Sequence, residues 1–498
     1  MTLHHGSGEI DLFRHERDAP SARGNSGPPS PSRTGILCMS FSRLPGFLGM
    51  VLLLVLALPA LGTEPGRWTA GVARTDITPN QPVWMAGYAS RNTPSEGVLV
   101  PLAARALTLR DSQGHRLVMV SLEILETPDS LQQRLMRVAR EKHGLRPEEF
   151  LLNVSHTHGG PMLSAKNVAD WGIDAAWGDR AESYAEELTL KIDHLIGTAL
   201  SQERPVQIHY GQGKCGFAMN RRIKTPEGMR MGPNPDGKTD PVVPVLRVDT
   251  DEGELLALVF GYACHNTALG DIRQLHGDYA GLTQQRIEQD HPGTVALFLM
   301  GCGGDQDPHP RRHLEDARKN AESLAGAVED ALAHPSAALP ATLSASLEMC
   351  PLAFRPLAPK TDFEARAQSP DGFVARHARN VLRDWPAKGA QPADYQLPVQ
   401  VLILGGQLTL VALGGEPVVD YAHRLRAELG SGQQPVWVAG YSNRVNAYLP
   451  SRRVLEEGGY EGTEAIIYQS LPTPFQPDVE ERVVQSVIRQ EKICREKR

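Results

Sequence analysis

The six cysteines of this 498-residue chain never form a close Cys-x-x-Cys pair, which removes the usual thiolate zinc clusters from consideration. Lysine- or arginine-rich runs are missing too, as is any interleaving of basic with aromatic residues. With a formal charge of -7 spread along the chain, nothing suits nucleic acid as a partner. The most apolar run, residues 47–58 and its flanks, is short of the roughly 20 residues that a spanning helix needs. There is no internal repeat and, after residue 38, no low-complexity tract, so solenoid and fibrous architectures are set aside.

What is present is a balanced composition, 41% hydrophobic and 22% charged, that can bury a large core. The first 38 residues, rich in Gly, Pro, Ser, His and Arg, are predicted to be disordered. Met39, Arg43, the apolar run 47–58 and the small residues Pro59-Ala60-Leu61-Gly62 have the layout of a secretory signal over 39–62. Export is expected, with an uncleaved anchor the lesser alternative. Met39 also suggests that 1–38 reflects a start codon placed too early. Removing the leader leaves five cysteines, which permits at most two disulfides and a spare thiol.

From about residue 68, apolar β-rich runs alternate with helical periodicity. Strands are predicted at 116–122, 150–155, 206–210, 243–248, 255–262, 294–300, 399–404 and 408–413, and helices at 130–143, 181–201, 282–289, 311–333 and 418–429. The alternation predicts a layered α/β domain over 65–498, with mixed β-sheets covered by helices and a metal site at strand C-terminal ends. Near-continuous apolar strands at 255 and 408 suit sheets covered on both faces. Proline-rich stretches bracket a helical pattern at 362–382, so 351–398 reads as an insertion or lid.

Five strand ends carry side chains with chemistry to offer. Ser155-His156-Thr157-His158-Gly159-Gly160-Pro161 follows an apolar strand, and extended backbone turns His156 and His158 the same way. Two such imidazoles can both bind a metal, or one can bind while the other handles protons; alone, the pair reads equally well as satisfied loop histidines. His265 in Tyr262-Ala263-Cys264-His265-Asn266 is by itself more often structural. Glu416, after Leu413-Gly414-Gly415, also suits a helix N-terminal charge. The tyrosines of Gly440-Tyr441-Ser442-Asn443-Arg444, Tyr448 and Tyr460-Glu461-Gly462 ordinarily only pack. The turn Gly301-Cys302-Gly303-Gly304-Asp305-Gln306-Asp307 lacks the Lys-Ser/Thr of a phosphate loop.

In order and surroundings these segments, together with Gly71-Val72-Ala73-Arg74-Thr75-Asp76, Met85-Ala86-Gly87-Tyr88-Ala89 and Asn220-Arg221, resemble the neutral/alkaline non-lysosomal ceramidase family from about 68 to 465. That resemblance implies a zinc-dependent amidohydrolase. Zn2+ would be held by His156, His265, Glu416 and Tyr448, with His158, Arg221 and Tyr460 as the catalytic residues and no other cofactor. Such a donor set leaves a position open, and zinc lowers the pKa of water from about 16 toward 7. The implied partner is a small-molecule or lipid substrate, ceramide-like, with contact at a membrane surface. Two departures stand out: the family's C-terminal β-sandwich-like domain is expected to be missing, and Gln306-Asp307-Pro308 replaces the serine usual beside that proline. Hydrolysis of a non-lipid amide or ester, or a non-catalytic exported binding protein, are the other readings of the same site.

Overall fold

The structure, a computed structural model, describes residues 66–334, 336–386, 392–430 and 434–497. The leader and signal segment read from the sequence lie outside the described residues. Two sheets stack face to face between helices. The larger has eight strands, in the order Val295–Met300, Leu255–Tyr262, Val242–Thr250, Arg204–Lys214, Trp68–Asp76, Ala103–Arg110, Arg116–Leu122 and Phe150–Val154. It is mixed: the outermost pair at each edge is parallel and the pairings between are antiparallel.

The period-two alternation of apolar residues sets the layers. Val118, Val120 and Leu122 share a core with Leu131, Leu135, Leu188, Leu195, Leu324 and Val328, which belong to helices Asp129–His143, Ala175–Ser201 and Leu314–Leu332. Leu117 and Met119 point the other way and pack with Leu402, Leu410 and Trp437 of the second sheet, Leu343–Leu352, Tyr395–Leu404, Leu408–Leu413 and Val436–Ala439. Its outer face, including Val399, Val401 and Leu413, is covered by Tyr421 and Leu425 and by Val483, Val484 and Val487 of helices Asp420–Leu429 and Val479–Glu496. The predicted layered α/β class is therefore the observed one.

The large sheet curls until its edge strands meet. Ser121 Oγ donates to the Phe298 carbonyl at 2.6 Å, and Met300 N donates to Asn153 Oδ1 at 2.8 Å. Asn153 Nδ2 in turn donates to the Gly440 carbonyl, beyond the second sheet, at 2.8 Å. These side chains bring the C-terminal ends of strands from both sheets to one place.

The helical pattern at 362–382 is two helices, Lys360–Arg366 and Gly372–Arg383. They leave and rejoin the second sheet between strands whose register runs from Leu343↔Leu404 to Leu352↔Tyr395. Residues 351–352 and 395–398 are thus sheet. Trp171 meets Phe373 of this excursion edge-on, ring centroids 5.5 Å apart. All five described cysteines are buried and free; burial drives the Cys264 thiol well above its usual range. Among the described residues no helix is long and apolar enough to cross a membrane.

Gly71 shows why the first matched segment needs glycine. A Cβ there would lie 2.0 Å from the Ala199 carbonyl oxygen in the last turns of the long helix. Gly71→Ala should therefore cost about 1–3 kcal/mol through overpacking, read as a lower urea midpoint; an unchanged midpoint would mean that the helix gives way freely.

Candidate active site

The strand Phe150–Val154 ends one residue before Ser155, and His156 takes a left-handed φ of 58°. The expectation that the two histidines share a face because they lie on one extended strand is therefore incorrect. A turn, not the pleat, brings their rings to 5.1 Å. His156 Nδ1 donates to the Leu125 carbonyl at 2.8 Å, and His265 Nδ1 donates to the Gly303 carbonyl at 2.7 Å. In a neutral ring each bond places the proton on Nδ1 and leaves Nε2 with a lone pair. Both Nε2 atoms face one oxygen, Glu416 Oε2, at 3.1 Å and 3.4 Å. Glu416 pairs in a short parallel bridge with Tyr448, whose hydroxyl lies 3.3 Å from His265 Nε2. The structure thus brings His156, His265, Glu416 and Tyr448 together.

Acceptor atoms aimed at one another at such distances need a proton or a cation between them. Burial, then the charge of Arg221, lowers His265 to about 4. Burial works to raise Glu416, but His156 and His265 beside it prevail and hold its carboxyl well below the usual range. A neutral imidazole against a carboxylate lacks a positive charge, and nitrogen and oxygen donors of this kind are those that zinc accepts. The donor set fits a divalent cation.

His158 differs from the other two imidazoles. Neither of its ring nitrogens has a hydrogen-bond partner. Burial, then the neighbouring His156 and His265, holds it well below its usual pKa, so it is neutral. Its ring is fixed by packing against Tyr88 at 4.8 Å and by Gly87, where a Cβ would stand 2.4 Å from His158 Nδ1. Three imidazoles, His156, His158 and His265, have nitrogens within 4.8 Å of one another.

Arg221 is buried on the far side of Tyr448. Its Nε donates to Glu461 at 2.8 Å, Nη1 to Asp307 at 3.2 Å, and Nη2 to the Gly304 carbonyl at 2.7 Å and Tyr448 Oη at 2.9 Å. Four of the five N–H groups of a guanidinium are then engaged, and the main effect is to fix the Tyr448 oxygen. Burial, then the Glu416 charge, raises the Tyr448 phenol well above its usual pKa; a nearby dication would reverse this. Tyr460 stacks edge-on to Tyr448 at 5.5 Å. Burial and Glu416 raise its phenol too, so it stays a donor, and it lines the same cleft.

That cleft, about 1080 Å³, is lined by His156, His158, His265, Glu416, Tyr448 and Tyr460 together with Glu126, Asp129, Asp170 and Trp171. Several residues were not singled out for a role by sequence. Tyr441 donates to Glu416 Oε2 at 3.4 Å and Gln469 Nε2 donates to Oε1 at 3.2 Å. Glu461 anchors both Arg221 and Arg222. Tyr441, Asp307 and Glu461 stand in the very segments read as strand ends, and only their partners were out of sight. Gln469 carries no such signal.

Comparison with known proteins points one way. The neutral/alkaline non-lysosomal ceramidase, N-terminal, family matches residues 68–320. The chain is 24% identical over 277 residues to the neutral ceramidase of Drosophila pseudoobscura pseudoobscura, across 52% of this chain and 38% of that protein. It is 24% identical over 269 residues to neutral ceramidase A of Dictyostelium discoideum, across 50% of this chain and 37% of that one. The matched part is thus under two-fifths of the length of these relatives. In fold, it resembles the neutral ceramidase of Pseudomonas aeruginosa, with a TM-score of 0.68 at 20% identity over 87% of this chain and 75% of that chain.

Proposed function

The chain belongs to the neutral/alkaline non-lysosomal ceramidase family, and from that premise we propose that it hydrolyses the amide bond of ceramide or a related N-acyl lipid with the help of zinc. The observation that carries the reading is the meeting of two Nε2 lone pairs and the Tyr448 oxygen around Glu416, with unpartnered His158 beside them. On this reading His156, His265, Glu416 and Tyr448 hold the ion. A zinc bound there supplies a dication that acidifies water and polarises a carbonyl.

The chain's own residues do the rest. His158, neutral and without a partner, takes a proton from the attacking water and returns it to the amide nitrogen as the C–N bond breaks. Tyr460 donates to the carbonyl oxygen as negative charge builds there. Arg221 holds Tyr448 in place and adds positive charge behind it. Export belongs to the proposal through the signal-like pattern at 39–62.

The charged and hydrogen-bonding lining of the cleft, Glu126, Asp129, Lys166, Asn167, Asp170 and Arg312 among it, favours a second reading, in which the same machinery cleaves a soluble amide. Turnover of a fluorescent ceramide is to be compared with that of short N-acyl amides. Cleavage of the ceramide with the higher kcat/KM is expected; brisk cleavage of the short amides alone would replace the lipid by a soluble substrate, and cleavage of neither would end the hydrolase reading.

A further inference from the structure

Four carboxylates line one arm of the cleft, Glu126, Asp129, Asp170 and Glu182. Three have a cation of their own. Asp129 takes Arg444 Nε at 2.7 Å and Nη2 at 2.9 Å, Asp170 takes Lys166, and Glu182 takes Arg134 at 2.7 Å. Glu126 makes no ion pair among the described residues. Its hydrogen bond comes from the Asn167 side-chain amide to Oε1. Asn167 is itself set by the N-cap of helix Ala165–Asp170, where its backbone N–H donates to Ser164 Oγ at 3.0 Å. The carboxylate is therefore held still with its second oxygen unpartnered, in the cleft that His156, His158 and Glu416 also line.

Glu126 is half-buried in the cleft; burial, then the Glu416 charge, raises its carboxyl to about 7, so a cationic ligand set against the open oxygen would hold it ionised. We propose that Glu126 is an ammonium-binding residue: its open oxygen receives the primary amine that cleavage of the substrate releases. This rests on the amide-hydrolase reading of the same site. Water oxygen bonds to the carbonyl carbon, the C–N bond breaks, the amine leaves with the water proton, and a further proton from solvent makes it an ammonium at neutral pH. The ammonium then pairs with the carboxylate in a charge-assisted hydrogen bond. Substrates whose amine half is primary and unhindered, free to turn its nitrogen toward Glu126, are the class this favours.

The test is calorimetric titration of the full chain with hexylammonium and, as its neutral match, hexanol, in wild type and Glu126→Gln. The expected result is that wild type binds hexylammonium about 10-fold or more tightly than hexanol, and that the ratio falls to about one in the variant. Equal affinity for the two probes in wild type, no binding of hexylammonium, or an unchanged ratio in a folded variant overturns the assignment. If that variant fails to fold, Glu126→Asp, which keeps the charge but draws it back, takes its place: a ratio below that of wild type is expected, and an unchanged ratio overturns the assignment. Neither measurement depends on turnover, so a chain that discriminates through Glu126 yet cleaves no amide refutes the hydrolase reading and leaves the ammonium site standing.

Discussion

Alanine in place of His265 or Glu416 is expected to strip zinc from the purified chain and abolish amide cleavage. Loss of a partner that merely supports a ligand costs about 10–100-fold in metal affinity, and loss of a donor itself should exceed the upper end of that range. The two substitutions also differ in what they leave behind. Without Glu416, the two Nε2 atoms at 3.1 and 3.4 Å lose the one anion they share. Without His265, Arg221 and Tyr448 keep their contact at 2.9 Å, so the pocket wall survives. Elemental analysis after dialysis against micromolar zinc reads the outcome directly. Near-stoichiometric zinc in either variant would remove that residue from the ligand set.

His158→Ala is expected to do the opposite: zinc content stays at the wild-type level while kcat falls by about 10²–10⁴-fold, the usual worth of a general acid–base. The reasoning is the asymmetry among three close imidazoles. His156 and His265 each have Nδ1 tied to a backbone carbonyl, the arrangement that orients a metal ligand. His158 has no such tie at either nitrogen, leaving both free to exchange a proton. Measuring metal content and rate on the same preparation separates the roles. If zinc is lost along with activity, His158 is a third imidazole donor rather than the base.

Much of this was legible in the chain because local rules govern it. Strand 255–262 is apolar at nearly every position, and both its faces are indeed covered, Val259 on one and Phe260 on the other. The breaks after Val154, Tyr262 and Leu413 announce themselves through histidine, glycine and glutamate. Other features depend on partners far along the chain. Strands Trp68–Asp76 and Ala103–Arg110 were overlooked because threonine, arginine and alanine dilute their pattern, yet their eight-residue pairing occupies the middle of the large sheet. In the hairpin Ala218–Thr225 with Gly228–Asn234 the consecutive polar residues Asn220, Arg221 and Arg222 break the alternation in the first strand, and the second is short and glycine-bearing. It carries Arg221 to Glu461, 240 residues away. The shared direction of His156 and His158 was anticipated for the wrong reason, since a positive φ is a property of the folded turn. Glu126 is invisible to sequence altogether: its distinction is the absence of a neighbour that its three companions have.

The two imidazoles facing Glu416 leave from the ends of the large sheet, whereas Glu416 and Tyr448 leave from the lobe built on the small one. The centre is thus a rivet hole drilled through two plates. An occupant that touches all four side chains fastens the lobes to each other, and it binds only when they are docked. At 100 times its dissociation constant such an occupant adds about 2.7 kcal/mol to the folded state, so the melting temperature of the chain is also a gauge of how full that hole is.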